Sequence, residues 1–109
     1  MKSINVQELK AALASSMPPK VLDVRRKAAF QDSIDLLAGA AWREPERVDE
    51  WAAELDSVRP VVVYCVHGHE VSQRCASRLA ERGFAAAYLE GGIEAWKQAG
   101  GAMSGKTSA

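Results

Sequence analysis

The chain has 109 residues, 48% hydrophobic and 26% charged, with 14 basic and 14 acidic side chains and a formal net charge of zero. That length suits a single core built without disulfides or metal, and the balanced charge offers no global field for nucleic acid or an anionic membrane surface. Two cysteines without paired spacing, Cys65 and Cys75, argue against a disulfide scaffold, and no apolar run approaches the roughly 20 residues of a membrane span.

The N-terminal stretch MKSINVQELK lacks the apolar centre of a signal peptide, so a cytoplasmic location is the expectation. Asn5, followed three residues later by Glu8, has the pattern of a capping box, and Leu9 and Leu13 place apolar groups on one face of a helix that continues to Ala14. Residues 15–19 break it. Val21, Leu22, Asp23 and Val24 form a β-branched, apolar stretch that predicts a buried strand with a polar end. Residues 25–30 predict a short helix, and residues 31–41, with Gly39 and no clear period, predict a loop. Pro45 suits a first helical turn, and Val48, Trp51, Ala52 and Leu55 follow at helical spacing.

The run Val61, Val62, Val63, Tyr64 is continuously apolar, as expected of a central parallel strand covered on both faces. A polar loop with Gly68 follows. Val71, Cys75, Ala76, Leu79 and Ala80 then predict a helix ending near Gly83. Residues 84–89 predict a strand, Gly91 and Gly92 a turn, and residues 93–99 a last helix. Residues 101–109 are small and polar, and are expected to be a disordered tail. Strands alternating with helices imply an α/β domain over residues 4–100, with a mainly parallel sheet.

In an open α/β sheet, ligands bind beyond the carboxyl ends of the strands, and Cys65 stands there, ahead of a helix. Helix N-termini present unpaired amides and the positive end of the macrodipole, and both favour a thiolate. Gly68 allows the loop to curl into an anion-binding nest. Cys65 is therefore the candidate nucleophile, although a small buried residue closing a core strand would have the same position. The polar segment His67, Gly68, His69, Glu70 favours the reactive alternative.

Three separated stretches resemble the rhodanese sulfurtransferases: Val21 to Arg25 (the "LDVR" strand end), Val62 to Ser72 (the catalytic strand and loop), and Leu89 to Gly100 (the closing "L-x-GG-x-x-AW-x-x-AG"). The resemblance implies a rhodanese-like three-layer fold with helices on both faces of the sheet. It implies transfer of sulfane sulfur from thiosulfate or a persulfide donor to cyanide or a thiol, with a Cys65 persulfide between the two steps. His67, Gly68, His69, Glu70 and Val71 would surround the substrate, and Asp23, Arg25, Ser72 and Arg74 would support the loop. The partners implied are small sulfur donors and acceptors or a sulfur-accepting protein; neither nucleic acid nor membrane is expected.

Many members of the family carry Arg at the sixth loop position and a basic residue at the second, where this chain has Glu70 and Val66. Glu70 would repel an anionic donor unless Arg74, four residues on, neutralises it. A non-catalytic anion-sensing or docking module therefore remains the alternative. A phosphatase on the same fold would need arginine at the position of Val71. Cys65, His67 and His69 have metal-ligand chemistry but no evident fourth partner, so neither metal nor cofactor is expected. Cys75 lies on the apolar stripe of its helix, where a core role is expected, and Trp42, Trp51 and Trp96 are expected in the core or at its rim.

Overall fold

The computed structural model describes residues 2–106, and Met1 and residues 107–109 lie outside it. Strand β1 (Lys2–Ile4) leads into helix α1 (Val6–Leu13). The capping box closes as the spacing predicts: the Glu8 amide donates to Asn5 Oδ1 at 2.8 Å, and the Asn5 amide to Glu8 Oε1 at 2.9 Å. Strand β2 (Lys20–Asp23) is followed by helix α2 (Lys27–Asp32) and strands β3 (Asp35–Leu37) and β4 (Ala41–Trp42). A 3-10 turn opening on Pro45 runs into helix α3 (Val48–Trp51). Strand β5 (Val61–Tyr64), helix α4 (Glu70–Glu81), strand β6 (Ala86–Leu89), helix α5 (Gly92–Gln98) and strand β7 (Met103–Gly105) complete the chain.

Five parallel strands form the central sheet in the order β1-β6-β5-β2-β4. Strand β5 lies in the middle and is buried at all four positions, which accounts for its unbroken apolar run. Its side chains alternate between two cores. Val61 and Val63 pack with Val48, Trp51, Cys75 and Leu79 from α3 and α4. Val62 and Tyr64 pack with Leu9, Ile93 and Trp96 from α1 and α5. The result is the expected α/β arrangement, a parallel sheet between two helical layers.

Three segments differ from expectation, the first being residues 2–4, for which the sequence predicts no strand and which form β1 beside β6. Residues 31–41, expected as loop, contain β3 and β4, whose two or three residues are too few to show a period. Residues 103–105, expected to be disordered, form β7, antiparallel to β3 with Leu37 opposite Met103. Two anchors explain this order: the Trp96 indole donates to the Ala102 carbonyl at 2.9 Å, and Lys106 Nζ donates to the Phe30 carbonyl at 2.6 Å. The rest of the expected tail, residues 107–109, falls outside the described residues. No helix among the described residues is long and apolar enough to cross a membrane.

Candidate active site

Strand β5 ends at Tyr64, and Cys65 opens a tight loop that reaches α4 at Glu70. Main chain holds the shape of that loop. Gly68 has φ 74°, and a Cβ there would stand 2.7 Å from both the Gly91 nitrogen and the Leu89 oxygen. Gly92, at φ 61°, approaches from the other side, where a Cβ would lie 2.5 Å from the carbonyl oxygens of Cys65 and Val66. This close approach lets the first amides of α5 bind the loop: Ile93 N–H donates to Cys65 O at 2.9 Å, and Glu94 N–H to Val66 O at 3.1 Å. Gln73 Nε2, from α4, donates to Gly68 O at 3.0 Å.

With its carbonyls tied back, the loop turns its amides the other way. Among the described residues, the backbone N–H groups from Val66 to Ser72 have no protein acceptor. Such a run of unpaired donors at a helix start is an anion-binding concavity. Cys65 Sγ lies 3.1 Å from Ser72 Oγ, which is fully buried and also within 3.4 Å of the His69 carbonyl. The serine hydroxyl can accept from a thiol, or rotate and donate to a thiolate. Cys65 itself is 6% exposed and lies in an open cleft of about 310 Å³. Val66, His67, His69, Glu70 and Val71 line one side of the cleft, and Arg25, Arg26 and Ala29 the other.

Of the four residues expected to support the loop, Asp23 and Arg25 act one step upstream of it. Asp23, fully buried, accepts from Arg25 Nη2 at 2.6 Å, from Arg25 Nε at 3.0 Å and from the Arg25 amide at 3.0 Å. It also accepts the Tyr64 hydroxyl at 2.8 Å, and that hydroxyl in turn accepts the Leu37 amide at 3.0 Å. Arg25 Nη2 reaches the Asp35 carbonyl at 3.0 Å. Neither Asp23 nor Arg25 therefore bonds to the loop; they fix the residue before Cys65 and tie β3 to it. Burial works against the Arg25 charge, but the hydrogen bonds and negative charge of Asp23 outweigh it and hold the guanidinium pKa above its usual range. Burial and the adjacent Asp23 charge likewise push the Tyr64 phenol up, which keeps it a donor.

His67, His69 and Glu70 are exposed at the rim, while Gly68 is buried at the turn. Arg74 pairs with Glu70 at 3.1 Å, with both side chains more than half exposed. No three metal-ligating side chains converge among the described residues. Cys75 packs in the α3–α4 core with its Sγ 3.7 Å from the Pro45 carbonyl, and burial, assisted by the Cys65 charge, pushes its thiol up to about 12. Sequence reasoning missed the bond of Tyr64, taken as a core residue, and the place on the cleft of Arg26, which belongs to no motif. The available signal for Tyr64 was its hydroxyl at the end of a buried strand, which needs a partner. The register supplies that partner by pairing Asp23 with Tyr64.

A cysteine at the carboxyl end of the middle strand, inside a loop of free amides, defines the class as an α/β protein with a rhodanese-like site. The Rhodanese-like domain model matches residues 5–99, and the chain belongs to that family. It is 36% identical over 78 residues to a thiosulfate sulfurtransferase GlpE of Coxiella burnetii, covering 71% of this chain and 70% of that one. A GlpE of Shewanella oneidensis is 33% identical over 100 residues, covering 90% and 94%. Among solved structures, a rhodanese-related protein from Thermoplasma volcanium superposes with a TM-score of 0.81 at 24% identity, covering 95% and 98%. The chain is thus of the rhodanese type, a sulfurtransferase family.

Proposed function

We propose that this chain transfers sulfane sulfur from thiosulfate or a persulfide donor to a thiophilic acceptor, cyanide or a thiol, by way of a persulfide on Cys65. The observation that carries the proposal is the position of Cys65 at the head of seven amides, Val66 to Ser72, that have no acceptor among the described residues, in an open cleft. In the first step the Cys65 thiolate attacks the outer sulfur of thiosulfate, a new S–S bond forms, and sulfite leaves with the electron pair of the old one. In the second, cyanide or a thiolate attacks the outer persulfide sulfur, and the Cys65 thiolate returns as leaving group. Both steps balance in atoms and electrons without an added oxidant, and splitting the transfer in two is the usual gain of covalent catalysis.

The free amides would hold the persulfide anion, and Ser72 would donate to the sulfur nearest the protein. Asp23, Arg25 and Tyr64 serve as positioning residues for the strand end. His67 and His69 line the cleft at its exposed rim. A cytoplasmic location belongs to the same proposal, because a reducing compartment keeps the resting Cys65 a free thiol. The test is intact mass after incubation with thiosulfate: wild type gains one sulfur atom, cyanide removes it with release of thiocyanate, and Cys65→Ser gains none. A wild-type protein that binds thiosulfate without an adduct would instead be a sensing module.

A further inference from the structure

We propose that Arg26 is the cation that recognises the anionic end of the sulfur donor, leaving its ion pair with Glu46 to do so. This inference rests on the sulfur-transfer reaction above and adds the residue that selects the donor.

Thiosulfate brings two negative charges into the cleft, while the loop itself contributes only neutral amides, two histidines at the rim and the Glu70 carboxylate. Three arginines stand nearby, and two are committed. Arg25 is 3% exposed and bound to Asp23 and the Asp35 carbonyl, so turning it outward would strand a buried carboxylate. Arg74 bonds to Glu70 and lines a neighbouring hollow with Pro45 and Cys75 rather than the cleft of Cys65.

Arg26 lines both the cleft and the hollow. Among the described residues its one ion pair is a 3.8 Å contact with Glu46, and the two side chains are 61% and 59% exposed. A contact that long and that wet is cheap to exchange for a dianion. Arg26 also precedes α2 directly and follows Arg25, whose amide is fixed on Asp23, so its backbone is anchored while its side chain is free to turn. The bidentate fork of a guanidinium suits a sulfonate head of the thiosulfate or thiosulfonate kind.

Two independent measurements test this. In thiosulfate:cyanide turnover, Arg26→Ala raises KM for thiosulfate roughly fivefold, the size of one screened ion pair, with kcat little changed. Arg26→Lys keeps the charge but loses the fork and so recovers only part of the loss, with KM between those of wild type and Arg26→Ala, and Glu46→Gln lowers KM by freeing the guanidinium. The second measurement needs no sulfur transfer: alkylation of Cys65 by iodoacetate and by iodoacetamide, followed by peptide mass. Because the two reagents differ in charge, their rate ratio reports the field at the sulfur. That ratio falls in Arg26→Ala by a factor similar to the KM change. An unchanged KM with an unchanged ratio overturns the proposal, as does an equal slowing of both reagents. If wild type takes no sulfur from thiosulfate but the ratio still falls in Arg26→Ala, the anion site stands and the sulfur-transfer proposal fails alone.

Discussion

Replacing Asp23 by alanine tests the internal brace of the site. The carboxylate is fully buried and is the counter-ion of Arg25, itself 3% exposed. Its loss leaves that guanidinium without a carboxylate in the interior, with the Asp35 carbonyl as a remaining acceptor. Breaking a buried pair from one side costs about 3–5 kcal/mol, against a total stability of about 5–15 kcal/mol for a domain. At roughly 4–8 °C per kcal/mol for a chain of this size, Tm falls by about 12 °C or more. Tyr64→Phe costs less, about 1–3 kcal/mol, because it orphans the Leu37 amide but leaves Asp23 its bonds to Arg25. Urea unfolding of both variants, and of Asp23→Ala combined with Arg25→Met, measures the effect. The double variant recovers stability because it removes the unpaired charge. A cost below about 1 kcal/mol for Asp23→Ala, or no recovery in the double variant, would refute the buried-pair account.

Other changes have equally definite outcomes. Gly68→Ala drives a Cβ into the Gly91 and Leu89 main chain and is expected to cost well over the roughly 1–2 kcal/mol of left-handed strain alone; Gly83→Ala, which meets nothing within 4 Å, costs only that strain, and equal losses in thermal melts would contradict the packing account. The Cys75 thiol, near 9 when unburied and pushed up to about 12 in the fold, contributes stability that is complete below about pH 9 and is lost as pH climbs through 12. Wild-type unfolding free energy is therefore expected to fall relative to Cys75→Ala across that window, and parallel curves would show that the thiol does not titrate differently on folding. Glu70→Arg is expected to lower KM for thiosulfate while changing stability by no more than about 0.5 kcal/mol, since the Glu70–Arg74 pair it removes is exposed and four residues apart. A raised KM in the steady-state assay would show that the carboxylate does not oppose the donor.

The strong periodic segments were legible in the sequence. The unbroken apolar run of β5, the Asn5–Glu8 cap and the stripe of Val71, Cys75 and Leu79 each reflect burial or local hydrogen bonding that residue types disclose. Strands β1, β3, β4 and β7 were not, because two or three residues carry no alternation and their pairing is decided by distant partners. At the site, Cys65 is singled out by its place at a strand end together with the polar loop that follows it, and the turn by Gly68. The Tyr64 bond to Asp23 and the place of Arg26 on the cleft were not legible, since one depends on strand register and the other on which helix end faces the cleft. Asp23 and Arg25 are expected from the sequence to brace the loop through hydrogen bonds, but they bond to each other and to the strand end at Tyr64 instead.

The contact between Gly68 and the Gly91–Gly92 turn has a consequence for how such a chain can evolve. It joins main chain to main chain, so there is no side chain on either surface that could be trimmed to make room. A methyl group gained at residue 68 or residue 92 cannot be offset by a second substitution across the contact, because nothing smaller than glycine exists. The contact therefore constrains the two glycines jointly, whatever donor the cleft accepts. The rim residues His67, His69, Glu70 and Arg26, being exposed side chains, are free to vary around it. Selectivity can drift in this molecule while the geometry that presents the sulfur stays fixed.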